Sequence, residues 1–148
     1  MRNFEMPGRS PVFAANGLCA TSHPLAAQAA VRILQDGGNA VDAAIAGAVL
    51  LGFAEPQMAG LGGDRFVLLK PPGEERILAL NGSGRAPRGL DAERLRAAGA
   101  TAIGTESAEA VTVPGAVDAF CRLSAEWGRL GLADSLAPAI HYADEGIP

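Results

Sequence analysis

The stretch from Asn39 to Asp64 constrains the fold more than any other part of the chain. Between Ala40 and Ala54 the only charged residue is Asp42, and small and large apolar residues are mixed throughout. A helix that is apolar all round belongs between other layers of structure. Asn39 and Asp42 predict where it begins, because a capping oxygen and a first-turn carboxylate satisfy free backbone N–H groups and the positive helix end.

This helix is followed by a glycine-rich loop. Glu55-Pro56 predicts the helix end, and Gly60, Gly62 and Gly63 permit backbone angles that other residues avoid. A membrane span is the alternative interpretation, but the apolar run is shorter than the roughly 18 residues that spanning needs. We therefore expect a buried core helix.

Length, charge and cysteine content limit the function classes. The 148 residues have the length of one ordinary domain. A net charge of -4 without a basic cluster indicates no nucleic-acid or membrane partner. The start, MRNFEMPGRSPVF, lacks the apolar run of a secretory signal, so we expect a cytoplasmic protein. Cys19 and Cys121 are too few for a disulfide framework or a zinc site and are expected as small core residues.

The first half of the chain predicts one more helix and a hairpin. Residues 1–10 are expected to form an irregular arm, and an apolar run at 12–21, broken by Asn16-Gly17, could form two short strands. A helix is expected to open at Ser22 and Pro24 and to stop at Gly37 or Gly38. Runs at 66–70 and 77–80 predict an antiparallel hairpin.

The second half predicts three helices. Asp91 is expected to cap a short charged helix, and Pro114-Gly115 to open a longer one. The longer helix is expected to direct four residues toward the core: Val117, Phe120, Cys121 and Leu123. Asp134 or Ser135 is expected to cap the last helix, with Pro138 in its first turn. No element follows that helix, so we expect the chain to be part of a longer protein.

The glycine loop and its flanking charged residues are the first candidates for chemistry. Gly60-Leu61-Gly62-Gly63 could cradle a phosphate, but phosphate loops precede a helix and this one follows a helix, so a tight turn is expected. Glu55 and Asp64 flank the loop without a visible catalytic partner. Arg85 follows the hairpin, where a guanidinium could clamp a substrate carboxylate. An exposed loop arginine is the alternative.

The other reactive side chains have no local partner. His23 and His141 lie more than a hundred positions apart and are expected to be structural, and Asp42 is explained by helix capping. The hydroxyls that could act as nucleophiles have neither a neighbouring base nor a nucleophile-elbow pattern: Thr101, Thr105, Ser107 and Thr112. We expect no catalytic residue, metal site or cofactor in this chain.

A set of short segments nevertheless resembles the start of the large subunit of γ-glutamyltranspeptidases. They occur in order from about Ala14 to the last residue, with similar spacing. The segments are ATSHPLA at 20–26, GGNAVDAA at 37–44, Glu55-Pro56, GLGG at 60–63 with Phe66, Arg85-Ala86-Pro87, VPGAV at 113–117, LAPAI at 136–140 and Gly146-Ile147-Pro148.

The resemblance implies an N-terminal nucleophile hydrolase. In such enzymes a precursor cuts itself, and the new N-terminal threonine of the small subunit attacks a γ-glutamyl or related amide. That threonine lies several hundred residues further on, so this chain alone is expected to be inactive. The implied fold class is α+β, a partial αββα sandwich with helices packed on antiparallel strands. The implied partners are the remainder of the large subunit, the small catalytic subunit and a small-molecule amide substrate, with self-association of the isolated chain also expected.

One segment departs from the family pattern. The family's large subunit contributes an arginine to the substrate α-carboxylate within a segment like Asp-x-Arg-Glu-x-Ala-Pro. Aligning on Ala86-Pro87 places Ser83 and Gly84 where Arg and Glu are expected. Arg85 lies two residues beyond the missing arginine and is expected on the other face of the strand, so that it does not simply inherit the role. The departure favours a divergent branch that acts on an oxamate-like or acylase-like substrate. A non-catalytic α/β binding module is the competing hypothesis.

Overall fold

A computed structural model describes residues 10–147 and shows five α-helices and one antiparallel hairpin. The elements are α1 (Pro24–Gln35), α2 (Ala40–Ala54), β1 (Arg65–Leu69), β2 (Leu78–Gly82), α3 (Ala92–Ala97), α4 (Ala116–Trp127) and α5 (Leu132–Glu145), with a 3-10 turn at Ala108–Ala110. The predicted irregular arm at 1–10 lies outside the described residues except for Ser10. Within the described part of the chain, no helix is both long and apolar enough to cross a membrane.

Helix α2 lies at the centre of the packing, as its apolar sequence predicts. It packs on α1, α4 and α5, and its largest fully buried side chains include Ile45 and Leu50. Gly47 lies at the contact with α1, where a Cβ would be 3.4 Å from the Ala26 carbonyl oxygen, an ordinary van der Waals distance. The helix is not buried on every side, since Phe53 remains 43% exposed.

The start of α1 and the turn between α1 and α2 both follow from local sequence signals. Pro24 occupies the first turn of α1, but the cap is His23 rather than Ser22, with its ring Nδ1 accepting from the Leu25 N–H at 3.3 Å. Gly37 ends α1 at φ +96°, a backbone region that glycine adopts without strain. The Asn39 side chain accepts from the N–H groups of Val41 and Asp42, and Asp42 accepts from the Asn39 N–H. The predicted cap of α2 is therefore confirmed.

The hairpin forms the single sheet of the described residues. Arg65 pairs with Gly82 and Leu69 with Leu78, so the predicted antiparallel pairing is confirmed with boundaries shifted by one or two residues. One face packs on the helical core through partly buried side chains: Val67, Leu69 and Leu80. The opposite face leaves Phe66 68% and Leu68 78% exposed. Helices and an antiparallel sheet together confirm the α+β class.

Two predictions for the last helices are wrong. Helix α5 begins at Leu132 after Gly131, whose φ is +91°, so neither Asp134 nor Ser135 is its cap. Pro138 therefore lies inside the helix.

In α4 the buried positions follow the 3.6-residue period: Ala116, Ala119, Phe120, Leu123 and Ser124. Val117 and Cys121 follow buried positions by one residue, which rotates them about 100° away from the core, and both are exposed.

The strand pair predicted at 12–21 is also wrong. Residues 10–22 contain no strand, and Phe13 is 91% exposed. The segment instead runs past α1, where a Cβ at Gly17 would lie 2.8 Å from a methyl group of Leu34. Cys19 is half-buried against the small core cluster between α1 and α2. Tertiary packing, rather than the Asn-Gly turn signal, determines this conformation.

Candidate functional site

Three chain segments meet where β1 begins, β2 ends and α4 begins. We call this region the junction and define it as Gly63–Asp64, Gly82–Arg85 and Thr112–Ala116. The Gly63 carbonyl oxygen accepts from the N–H groups of Gly115 and Ala116 at 3.2 and 3.0 Å, which fixes the first turn of α4 beside the start of β1. The segments are distant in sequence, so only the tertiary fold brings them together.

Asp64 connects all three segments of the junction. Its Oδ1 accepts from the Gly84 N–H at 2.9 Å and from the Thr112 hydroxyl at 3.0 Å. The main chain completes the connection, since the Val113 N–H donates to the Arg85 carbonyl oxygen at 2.9 Å. Asp64 was predicted to flank the glycine loop without a partner, and the structure gives it two.

Glycine is required at three positions of the junction because other atoms approach too closely for a Cβ. At Gly82 the Cβ would lie 2.6 Å from the Ala119 Cβ and 2.8 Å from the Arg65 carbonyl oxygen. A Cβ at Gly84 would lie 1.5 Å from the Val113 carbonyl oxygen, and one at Gly115 would lie 2.3 Å from the Gly82 carbonyl oxygen. Neither oxygen can move aside without displacing its segment. From the sequence, Gly84 was identified only as a departure from the family pattern and Gly115 only as part of a helix start, so their packing role was missed.

Arg85 lies at the edge of the junction and is exposed. Within residues 10–147 its guanidinium has neither a hydrogen bond nor an ion pair, although its main chain is fixed by Val113. The expectation that Arg85 falls on the opposite face from position 83 was wrong in principle, because residues two apart in a strand point to the same face. Strand β2 ends at Gly82, so strand alternation does not decide where Arg85 points.

A second arginine, Arg65, directly follows the junction residue Asp64 at the start of β1. The guanidinium carbon of Arg65 lies 5.0 Å from the centre of the Phe120 ring, an arrangement that favours a cation. Its Nε is buried without a hydrogen-bond partner among the described residues, and desolvation lowers the pKa of Arg65 below its ordinary value. Burial thus opposes the charge on Arg65.

An open cavity of about 400 Å³ lies between the glycine loop and the start of β1. It is lined by Pro56, Met58, Ala59, Gly60, Gly62, Gly63, Asp64 and Arg65. Glu55, the other carboxylate beside this loop, accepts a hydrogen bond from the Ser22 hydroxyl at 2.5 Å. It therefore connects the end of α2 to the residue preceding the cap of α1. The two carboxylates beside the glycine loop, Glu55 and Asp64, thus accept hydrogen bonds from different parts of the chain.

The other candidates for chemistry are dispersed. The Thr112 hydroxyl donates to Asp64 and the Ser107 hydroxyl to the Gly104 carbonyl oxygen, while Thr101 and Thr105 are exposed. His141 packs edge-on against Tyr142, with 5.2 Å between ring centres. Within residues 10–147 no three His, Cys, Asp or Glu side chains form a cluster that could hold a metal ion.

Comparison with known proteins identifies the family. The sequence model described as gamma-glutamyltranspeptidase matches residues 26–148. The chain belongs to the γ-glutamyltranspeptidase family. The resemblance found in the sequence is confirmed, and three of the segments that carried it, at 60–63, 85–87 and 113–117, lie at or beside the junction.

Relatives within the γ-glutamyltranspeptidase family include hydrolases and acylases. A glutathione hydrolase-like proenzyme from Bacillus subtilis is 43% identical over 127 residues, covering 85% of this chain and 24% of the relative. An oxamate amidohydrolase proenzyme from Klebsiella pneumoniae is 40% identical over 140 residues, covering 90% and 26%. The crystal structure of cephalosporin acylase from Bacillus halodurans matches with a TM-score of 0.86 at 48% identity, covering 99% and 27%. This chain spans about a quarter of the length of these relatives.

Proposed function

We propose that the chain is the N-terminal part of the large subunit of an amide-cleaving enzyme, a hydrolase or acyltransferase whose threonine nucleophile lies outside these 148 residues. The observation that carries the proposal is that family segments distant in sequence converge on a junction that presents an arginine. The similarity to relatives named hydrolase, amidohydrolase and acylase supports the reaction class. Their description as proenzymes supports a precursor that is processed.

Within that enzyme, Arg85 binds a carboxylate of the substrate. Its backbone is fixed while its guanidinium is exposed without a partner in the described residues, which leaves its donors available to a ligand. A guanidinium pairs with a carboxylate through two parallel hydrogen bonds, which determines orientation as well as affinity. A fixed backbone that carries an unpaired guanidinium is the arrangement that recognition of a small anion requires.

The substrate is a γ-glutamyl or related amide, and the departure at positions 83 and 84 favours an oxamate-like or acylase-like member of that class. Ser83 and Gly84 occupy the positions where the resemblance places an arginine and a glutamate, and Gly84 leaves no room for a side chain. Similarity to an oxamate amidohydrolase and to a cephalosporin acylase supports an oxamate-like or acylase-like substrate. Arg85 then supplies the carboxylate contact from two residues beyond the position of the missing arginine.

The remainder of the enzyme covers the outer face of the hairpin. Phe66 and Leu68 expose 68% and 78% of their surface there, and a second sheet packed on this face would complete an αββα sandwich. The partners are then the rest of the large subunit and the small subunit. The isolated chain is inactive and self-associates through its uncovered apolar surface.

The test uses the full-length gene product and three p-nitroanilides. γ-Glutamyl and glutaryl p-nitroanilide both carry a carboxylate, whereas 4-aminobutyryl p-nitroanilide has none. We expect intact-mass measurement to show self-cleavage, and Arg85→Ala to raise KM at least tenfold for a carboxylate-bearing substrate only. Arg88→Ala, an exposed arginine three residues away, is the matched control and should leave KM unchanged. Turnover by the isolated 148 residues, or an equal effect of Arg85→Ala on all three substrates, would contradict the proposal.

A further inference from the structure

We infer that Asp64 is a positioning residue for Arg85: it fixes the segment that presents the guanidinium and does not itself contact substrate. The inference rests on the proposed function of Arg85 and goes beyond it by identifying what determines where that arginine stands. It also makes an exposed carboxylate beside the glycine loop part of substrate selection.

The first support is the set of contacts that Asp64 makes. Its Oδ1 accepts from the N–H of Gly84, the residue immediately before Arg85, and from the hydroxyl of Thr112. Hydrogen bonds to an ionised carboxylate are shorter and stronger than neutral ones. One oxygen atom therefore holds the Arg85 segment on one side and the segment preceding α4 on the other.

The second support is the close packing of the backbone around Gly84. Its Cα lies so close to the Val113 carbonyl that an added Cβ would be 1.5 Å from the carbonyl oxygen, and the Arg85 carbonyl accepts from the Val113 N–H at 2.9 Å. The segment before Arg85 is thus held between the Asp64 carboxylate and the Val113 backbone. Releasing the Asp64 side frees it to move away from Val113.

The charge of Asp64 argues against direct substrate contact. A carboxylate repels the carboxylate that Arg85 is proposed to bind, and Oδ1 is already occupied by two donors. The segment that it fixes, by contrast, carries the required positive charge. A displacement of about 1 Å can cost up to roughly a hundredfold in activity. Loss of the Asp64 hydrogen bonds can therefore raise KM although Asp64 does not contact the substrate.

The experiment measures KM and kcat of the full-length enzyme with γ-glutamyl or glutaryl p-nitroanilide, whichever the parent enzyme cleaves more efficiently. We expect Asp64→Ala to raise KM roughly tenfold with kcat within about twofold of the parent. Asp64→Asn retains an oxygen acceptor in place of Oδ1 and should restore KM to near the parent value. Asp91→Ala is the matched control: Asp91 is another exposed aspartate that accepts two backbone N–H groups, at the cap of α3, and its loss should leave KM unchanged.

A double-mutant cycle separates positioning from a general structural role. If Asp64 acts through Arg85, Asp64→Ala in an Arg85→Ala background should add no further change in KM, whereas independent effects would multiply. Multiplying effects, or an Asp64→Asn variant as impaired as Asp64→Ala, would overturn the inference and leave the proposed role of Arg85 standing. An unchanged KM in Arg85→Ala would instead remove the proposed role itself.

A second pair of variants keeps the inference testable if Asp64→Ala does not fold. Thr112→Val removes the hydroxyl that donates to Asp64 and keeps nearly the same volume, and we expect KM to rise roughly threefold for the carboxylate-bearing substrate. Thr112→Ser retains the hydroxyl and should reverse that rise. A Thr112→Val enzyme with the parent KM would count against the inference.

Discussion

Two aspartates connect distant segments of this chain, and they do so in opposite environments. Asp42 is fully buried, and both of its oxygens accept backbone N–H groups, from Asn39 within the cap of α2 and from Arg129 and Leu130 in the turn between α4 and α5. Asp64 is exposed and uses one oxygen for one N–H group and one hydroxyl. The buried carboxylate accepts from partly buried N–H groups, whereas the hydrogen bonds of the exposed one are exposed and fix the position of a loop.

The difference separates stability from function. Removing an acceptor from buried donors costs their full desolvation, whereas exposed donors can bond to water instead. The Asp42 connection is reinforced by the Asn39 side-chain amide, which donates to the Trp127 carbonyl oxygen at 2.6 Å. The exposed arginine beside it, Arg129, donates from its guanidinium to the Gly37 carbonyl oxygen at 3.5 Å, whereas the guanidinium of Arg85 has no partner among the described residues. We therefore expect changes at Asp42 to reduce stability and changes at Asp64 to affect substrate recognition.

The largest expected effect on stability comes from Asp42→Asn. The substitution keeps the shape of the side chain, but its NH₂ group must face at least one backbone N–H, because both carboxylate oxygens are acceptors. We expect the free energy of unfolding to fall by about 2–3 kcal/mol, as measured by urea denaturation.

Asp36→Asn is the control for that measurement. Asp36 is exposed and forms a surface pair with Arg32, so its loss should cost less than about 0.5 kcal/mol. An Asp42→Asn protein as stable as the control would remove the distinction between the two aspartates.

The next effect comes from Gly84→Ala, which disrupts the junction by crowding rather than by loss of a hydrogen bond. The added Cβ would overlap the Val113 carbonyl oxygen, so the segment carrying Arg85 must move. We expect a loss of about 1–3 kcal/mol in unfolding free energy, together with a raised KM for carboxylate-bearing substrates.

Gly89→Ala provides the matched control, since a Cβ at Gly89 meets nothing within 4 Å and its φ is not positive. It should leave stability unchanged or slightly higher, because alanine reduces the entropy of the unfolded chain. Equal losses for the two substitutions would show that crowding at the junction is not the cause.

The smallest effect is expected from Asp64→Asn. Only Oδ1 of Asp64 has partners in the described residues, so the amide oxygen can replace it while the NH₂ group faces solvent. We expect the unfolding free energy to change by less than about 0.5 kcal/mol in the same urea experiment. A loss as large as that of Asp42→Asn would mean that the exposed carboxylate also contributes substantially to stability.

Much of the helical architecture was predictable because its signals are local. Asn39 and Asp42 lie within one turn of the helix that they cap, Gly37 ends α1 by its own backbone freedom, and Asp91 caps α3 as expected. The failures occurred where a local signal competed with packing. Asn16-Gly17 indicated a hairpin, but its segment runs along α1, and Gly131 rather than Asp134 or Ser135 precedes α5.

The candidate site was predictable only in part. Arg85 was identified from its position after the hairpin, and the family resemblance named the segments that meet beside it. The partners of Asp64 could not be predicted, because Gly84 and Thr112 lie 20 and 48 residues away and no spacing rule connects them.

The sequence by itself determined most of the elements, the family and the apolar character of the central helix, since caps, glycine turns and hydrophobic periodicity act over a few residues. Only the tertiary structure decided which carboxylate is buried beneath a turn and which is exposed beside an arginine. Hydrogen bonds between distant segments depend on how the helices and hairpin pack, because packing alone brings a donor and an acceptor within 3 Å.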